Sequence, residues 1–444
     1  MKKLFCILLI FSLVFTISAC GKVDLPPLPE VTEKPEAAAP ASEPGQTVQA
    51  PEAASSAAGD SETIPAADQT PYTRRVTVNF RTTALEAYDP EEGSQLILDF
   101  RYDTPIVRIQ GKEDASQTIN AYVEGLDEAF YTGTDYAEGP GTGYNNMLML
   151  AEDNYTYVRE NGVDLPMEFA STRDVKVLRG DSQVLTLVFE YYDYTGGAHG
   201  NYGDKAYVFD TDSGKLLSLD DLSADPDSFR SLLTEKMLQQ IEDRADLAEM
   251  LYPDLKGDEL KAAVTALLRD GSWSLERDAM VLFSDPYEIG PYAAGIIRFE
   301  IPYTELEGVM DARWIPFTME GNGSFTVGAM SDIPDGSLEI LDRVETSADG
   351  SEICLQANGT VFDVLLSSVY YEDYSNSFSE GDPLWFSSYM QNNAVQICTV
   401  VPEGIPDLML SYRTSDGETK RQLISQSGLD GSYLLVDDSI SAVG

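Results

Sequence analysis

Apolar and polar residues repeat along this chain with two different periods, and the changes of period mark its elements. Val76-Thr77-Val78-Asn79-Phe80 and residues 96–102 alternate at every second position, as half-buried strands do, and residues 106–109 add a short run after Pro105. The period then lengthens. Ile119, Tyr122, Val123, Leu126 and Phe130 fall on one helical face, predicting a helix over 113–131, with a second over 144–159. Strands return at 175–178 and 184–192 around a Gly180-Asp181 turn, followed by a strand at 206–210 that Thr211-Asp212-Ser213-Gly214 turns back. Asp225-Pro226 reads as the cap and first residue of a helix whose apolar face is Phe229, Leu232, Leu233, Met237 and Ile241. A shorter helix over 258–269 and strands at 279–283 and 295–301 follow. Strands punctuated by helices packing on one side predict an α+β region with a mainly antiparallel sheet. It covers 72–312, with an N-terminal part at 72–170 and a C-terminal part at 171–312.

From residue 333 the helical period disappears. Apolar runs at 338–341, 353–356, 361–371, 394–401, 408–412, 422–424 and 433–436, several separated by Gly or Asp turns, predict a small all-β sandwich over 333–444. Residues 311–332 are read as a join or as the last edge of the preceding region. Residues 21–71 contain no Phe, Tyr or Trp and are dominated by Pro, Ala, Glu and Ser. Such a segment cannot bury enough apolar surface to offset its ordering entropy. It reads as a disordered tether, spanning roughly 40 Å as a coil and about 150 Å if extended like polyproline.

The N-terminus has a different pattern. Lys2 and Lys3 precede an almost unbroken apolar run from Leu4 to Ile17, and Ser18-Ala19-Cys20-Gly21 supplies the small residues of a cleavage site. The run is short for a spanning helix, which takes about 20 apolar residues. Ile17-Ser18-Ala19-Cys20 resembles the lipobox of bacterial lipoproteins. That resemblance implies a signal peptide at 1–19, a lipid on the Cys20 sulfur, and a mature protein with a tether at 20–71, anchored to the outer face of the cytoplasmic membrane. An ordinary cleaved signal beside an incidental cysteine is the alternative.

Charge narrows the partners. There are 29 basic and 75 acidic residues, a formal net charge of −46, and loss of Lys2 and Lys3 with the signal takes it to −48. A surface of this sign repels nucleic acid and anionic polymers and attracts cations, basic peptides and basic proteins; it also keeps an exported protein soluble. Once Cys6 leaves with the signal and Cys20 carries lipid, Cys354 and Cys398 remain, both in apolar strand-like runs. Either facing strands bring them into a disulfide, which an oxidising compartment permits, or they are two buried thiols. No cofactor and no metal site are expected.

His199 is the only histidine, and it sits in Tyr194-Thr195-Gly196-Gly197-Ala198-His199-Gly200-Asn201, directly after an aromatic strand. Its glycines permit backbone angles denied to other residues. The segment is a candidate binding loop, exposing imidazole and amides among tyrosines, or else a hairpin corner whose histidine bonds neighbouring carbonyls.

Four segments then occur in order: Tyr194 to His199; Phe209-Asp210-Thr211-Asp212-Ser213-Gly214-Lys215-Leu216-Leu217-Ser218-Leu219-Asp220-Asp221-Leu222; Phe283-Ser284-Asp285-Pro286-Tyr287-Glu288-Ile289-Gly290-Pro291-Tyr292-Ala293-Ala294-Gly295; and Glu300-Ile301-Pro302-Tyr303-Thr304-Glu305-Leu306. Together they resemble the paired domain of unknown function in the ectodomain of RsiV-type anti-sigma factors, over about residues 73–308. Similar domains accompany the catalytic module of some peptidoglycan deacetylases. The resemblance implies a binding ectodomain, and in RsiV-type proteins the ligand is lysozyme, a small basic protein. A lipoprotein signal stands where those proteins carry a sigma-binding segment and spanning helix. A metal-dependent deacetylase module needs at least two histidine ligands, and only His199 exists. Asp285-Pro286-Tyr287 and Gly290-Pro291-Tyr292 read as structural corners.

The expectation is therefore a non-catalytic, lipid-anchored binding or sensing protein with a basic protein or peptide as ligand and no nucleic-acid partner. Two alternatives stand beside it. One is a cell-wall-associated hydrolase, using His199 with Ser213 or Asp193. The other is a calcium-dependent surface protein using the turn at 210–214, although Asp221 replaces the Glu that an EF-hand loop needs at its twelfth place.

Overall fold

The structure is a computed structural model; it describes residues 74–91, 93–134, 143–162, 167–318, 321–329, 339–344, 351–372, 377–400, 408–414, 417–427 and 432–437. The expected signal, Cys20 and the expected tether lie outside the described residues. In chain order the elements begin with β1 (Val76–Tyr88), β2 (Leu96–Ile109), α1 (Glu113–Thr132), α2 (Tyr144–Asn161), β3 (Phe169–Gly180), β4 (Val184–Tyr194) and β5 (Asn201–Asp210). They continue with α3 (Pro226–Asp243), α4 (Ala245–Met250), α5 (Gly257–Ala266), β6 (Trp273–Leu275), β7 (Ala279–Ser284) and β8 (Ile297–Pro302). The final series is β9 (Ser324–Ala329), β10 (Glu339–Val344), β11 (Ser351–Asn358), β12 (Val361–Glu372), β13 (Ser377–Met390), β14 (Ala394–Val400), β15 (Leu408–Arg413), β16 (Thr419–Gln426) and β17 (Tyr433–Asp437). This is an α+β fold followed by a β sandwich.

The helices start and stop where local chemistry directs. α1 ends at Gly133, whose φ of 74° lets its N–H cap the carbonyls of Ala129 and Phe130. At the start of α3 the Asp225 carboxylate accepts the Ser228 N–H, with Pro226 as the first helical residue. α1 and α2 form the crossover between β2 and β3, which pair in parallel. Their apolar faces, through Ile119, Val123, Phe130, Met147 and Tyr155, pack on Phe100, Val175, Leu187 and Phe189 of the sheet. Arg173 is fully buried in this layer, paired with Asp127 of α1 and surrounded by the rings of Tyr102, Phe130 and Phe189.

β4 is buried on both faces, which is why its sequence is a continuous apolar run without alternation. Leu185, Leu187 and Phe189 join the α1/α2 core, while Val184 and, from β5, Val208 join a second core with α3, α5 and the three-stranded sheet β6-β7-β8.

The C-terminal strands depart from the expected separation. β1 pairs with β13, Val78 opposite Phe386, so one ten-stranded sheet runs β17-β16-β15-β12-β13-β1-β2-β3-β4-β5. A four-stranded sheet, β10-β14-β11-β9, packs on its C-terminal end through Ile353, Leu355 and Val400 against Trp385, Leu366 and Leu410. The sandwich thus takes in Ser324–Ala329, which the apolar pattern placed in the join or the last edge of the preceding region.

The expected Cys354–Cys398 bridge is not formed. In the antiparallel pair β11–β14, Cys354 stands opposite Ile397 and Cys398 opposite Ile353. Cross-strand partners share a face and successive residues alternate. The two sulfurs therefore lie on opposite sides of one sheet: Cys398 joins the sandwich core, and Cys354 packs with Val395 and Ile397. No helix among the described residues is long and apolar enough to cross a membrane.

Candidate functional site

The β4–β5 hairpin carries the Tyr194–Asn201 loop at its tip, and the loop is a corner of defined shape. Gly196 and Gly197 have φ of 93° and 106°, in the left-handed region, and Tyr194 Oη donates to the Gly197 carbonyl. Gly200 has no room for a side chain, because a Cβ there would lie 2.5 Å from Cε2 of Tyr192. Thr195, Gly197, Ala198, His199 and Asn201 are exposed, and Gly200 is buried.

His199 is exposed, and it bonds a neighbouring carbonyl as the hairpin-corner reading expects. Its Nδ1 donates to the Gly200 carbonyl at 2.9 Å, which holds the turn. With the proton there, Nε2 is an acceptor, and Tyr287 Oη lies 3.4 Å from it. The imidazole is also stacked on Tyr292, with ring centroids 3.8 Å apart and planes 22° from parallel. Tyr292 Oη donates to the Gly200 carbonyl at 2.7 Å, and Tyr202 and Tyr287 flank the Tyr292 ring.

Asp285-Pro286-Tyr287 and Gly290-Pro291-Tyr292, read as structural corners, complete the corner that begins at His199. Tyr287 is more than half exposed and holds a φ of 70°, a strained angle for a residue with a side chain. Its carbonyl accepts from Tyr252 Oη, and Glu288 is clasped by both arms of Arg269. Gly290 lies against the Met250 carbonyl, where a Cβ would be 2.3 Å away.

Beside the aromatic rings is a cavity of about 170 Å³ lined by Tyr191, Asp193, Asn201, Tyr202, Gly203, Asp204, Lys205 and Asp285. Asp285 Oδ1 accepts the Asp204 N–H at 3.2 Å, and a side chain at position 203 would meet the same carboxylate. Burial, with Glu190 and Asp285 adding to it, pushes Asp204 up to about 6. Burial also raises Asp285. A carboxylic acid raised to about 6 can give or take a proton near neutral pH, the requirement for general acid–base work.

The other suggested constellations are not assembled. Ser213 Oγ donates to Asp210, at the far end of β5, roughly 30 Å from the loop at about 3.3 Å per strand residue. Asp193 is buried and accepts from Ser171 Oγ at 2.6 Å. In the turn at 210–214, Asp210 accepts the Asp212 N–H and pairs with Arg313, while Asp212 pairs with Arg74 and Lys112. Those carboxylates meet protein cations, and the segment is a strand-to-strand turn. Among the described residues no group of three His, Cys, Asp or Glu side chains is placed to hold a metal ion. Asp204 was missed from the sequence, whereas Tyr192 and Tyr202 flank the candidate loop in the aromatic stretch around His199.

Comparison with known proteins matches two families. Residues 92–202 match the model described as deacetylase PdaC, and residues 220–304 match that of a protein of unknown function, DUF3298, so a DUF3298 domain is present. The corner draws Tyr192, Tyr194 and His199 from the first region, and Asp285, Tyr287 and Tyr292 from the second. The peptidoglycan-N-acetylmuramic acid deacetylase PdaC of Bacillus subtilis (strain 168) is 24% identical over 181 residues, 37% of this chain and 36% of the relative. The chain thus spans about a third of that protein's length. Two crystal structures of DUF3298 family members are also similar. One, from Bacteroides fragilis NCTC 9343, has a TM-score of 0.40 and 18% identity, and the match covers 53% of this chain and 94% of that one. The other, from Pseudomonas aeruginosa PAO1, has a TM-score of 0.35 and 20% identity, covering 54% and 97%. These findings overturn the expectation of a non-catalytic protein, because one of the matching family models and the curated relative are both named as deacetylases.

Proposed function

We propose that this is a cell-envelope protein directed at peptidoglycan, and that the His199 corner is where it holds the glycan. The observation that carries the proposal is the meeting of the segments around His199 and Tyr292 in one exposed aromatic and acidic corner, built from the two regions that match a peptidoglycan deacetylase and DUF3298. Flat tyrosine faces suit the C–H face of a pyranose, while hydroxyls and carboxylates at their margin suit its polar substituents. Two of the four segments that carry the RsiV-type resemblance, 194–199 and 283–295, build this corner, and anchorage outside the membrane by a lipid on Cys20 suits the same reading.

A second reading, amide hydrolysis at the same corner, is favoured by Asp204. A carboxyl that is raised to about 6 suits proton transfer to a departing amine. One experiment addresses both. Purified sacculi are incubated with the chain and with its Tyr292→Ala and Asp204→Asn variants, and retention and released acetate are measured. Retention that Tyr292→Ala abolishes supports glycan binding, and acetate release that Asp204→Asn abolishes supports hydrolysis. No retention of the parent chain refutes the glycan reading.

A further inference from the structure

Like charges directly opposite each other on paired strands destabilise a sheet, yet this sheet keeps a row of them. Asp174 of β3 stands opposite Glu190 of β4, and Glu190 stands opposite Asp204 of β5. Direct partners share a face, so the three carboxylates lie side by side at strand intervals of about 4.8 Å. Two residues further along β4 on that face is Tyr192, opposite Tyr202, so the row runs directly into the His199 corner. At its other end Arg101 bridges Asp174 at 3.1 Å and Asp382 at 3.4 Å, and Tyr370 Oη donates to Asp382.

Asp103 adds an independent sign of an unmet ligand. It is only 2% exposed; its Oδ1 accepts from Thr82 Oγ1 at 2.6 Å, and its Oδ2 has no hydrogen-bond partner among the described residues. Its carboxyl feels the charges of Asp174, Asp382 and Arg101, which places it in the same cluster. The cations facing the row are few. Lys176 pairs with Glu190 at 2.7 Å, Arg101 is shared as above, Arg298 is engaged by Glu276, and Lys205 lies over the Tyr191 ring. Burial first, then neighbouring carboxylates, raise Asp103, Asp174 and Asp204, the direction expected where positive charge is wanting.

We infer that this row binds glycan whose amino sugars carry no acetyl group, each free ammonium resting on a carboxylate while the sugar chain continues onto the tyrosines of the His199 corner. The inference rests on the proposed glycan reading and names the form of glycan selected. Among the described residues no three of these groups converge on a point as a metal would require; they are spread one per strand, close to the length of one pyranose unit. An acetyl group would remove the charge and leave Asp204, which has no ion pair among the described residues, without a cation, so discrimination follows from what the site lacks as well as what it offers. The rings at the end of the row favour a sugar polymer over a basic protein.

The test is calorimetry of the full chain with a glucosamine tetramer and with its fully N-acetylated counterpart. The expected result is binding of the glucosamine tetramer about ten-fold tighter or better, the scale of a single charge-assisted contact. Glu190→Gln should erase most of that preference while leaving affinity for the acetylated tetramer unchanged, and Asp204→Asn should also erase most of it. Equal affinities overturn the inference. So does a preference that both variants retain, which assigns it to the overall charge of −46 rather than to the row. Binding of the acetylated tetramer alone overturns it and leaves the glycan reading standing; binding of neither removes both. A small basic protein that binds through Glu190 and Asp204 when the tetramer does not gives the row to a protein partner, and also overturns it.

Discussion

His199 lies flat on Tyr292, their ring centroids 3.8 Å apart, and both side chains bond the same Gly200 carbonyl. One backbone oxygen thus fixes the orientation of two rings from distant parts of the chain, and the corner keeps its shape only while both are present. Replacing Tyr292 by Ala removes the stack and one of the two donors without touching a buried core. The expected outcome is loss of glycan retention by about ten-fold, equal to about 1.4 kcal/mol, with a melting temperature close to the parent's. Equal losses of stability and retention would show that the ring merely supports the fold.

Arg173 makes the opposite prediction. It is fully buried, held by Asp127 and ringed by Tyr102, Phe130 and Phe189. Removing one partner of a buried pair leaves an uncompensated charge, at a cost of about 3–5 kcal/mol. Asp127→Ala should therefore shift the urea midpoint strongly, and Arg173→Met, which removes the charge itself, should shift it less. A double variant no worse than Arg173→Met confirms that the orphaned guanidinium is the source of the damage.

How much of this was legible in the sequence depends on range. Ile119, Val123 and Phe130 announced α1, and Asp225-Pro226 announced the start of α3, because caps and periodicity are local. The continuous apolar run of β4 also read correctly as a strand. The pairing of β1 with β13 did not show, since alternation tells which face of a strand is buried and never which strand lies beside it. The site divides in the same way. His199 and its glycines stood out as unusual residues, and Tyr287 and Tyr292 stood out as rigid corners. That the two segments form one surface is a long-range fact. Asp204 had no signal at all, because its altered acidity comes from burial and from Glu190 and Asp285 on other strands.

The cysteines offer a chemical check on register. Cys354 and Cys398 are buried on opposite faces of one sheet, and burial, with Glu352 adding to it, pushes the Cys354 thiol up to about 11. A thiol of that acidity has almost no thiolate at neutral pH and reacts slowly. Peptide mapping after alkylation should leave both unmodified in the native chain and label both in denaturant without a reductant. A disulfide-linked peptide pair would show that the β11–β14 register is wrong by one residue.

Stability should rise as the solution is made mildly acidic, and Asp204 should account for much of the rise. Its carboxyl moves from the usual 3.8 to about 6 in the folded chain. Between those values the folded state binds a proton that the unfolded state does not, so unfolding becomes harder as pH falls through 6. The full displacement corresponds to about 3 kcal/mol at most, and partial exposure of the group reduces it. Asp181 works with the opposite sign. Burial opposes its charge, but Arg179 and Arg277 outweigh burial and hold it below the usual carboxylate value, so its contribution is lost in stronger acid. The two together place the stability maximum in mild acid. Asp204→Asn should raise the melting temperature at about pH 7, leave it almost unchanged at about pH 4.5, and flatten the profile between. A variant that keeps the parent's slope would move the responsible proton to Asp103, Asp174 or Asp285, whose carboxyls are also raised by burial.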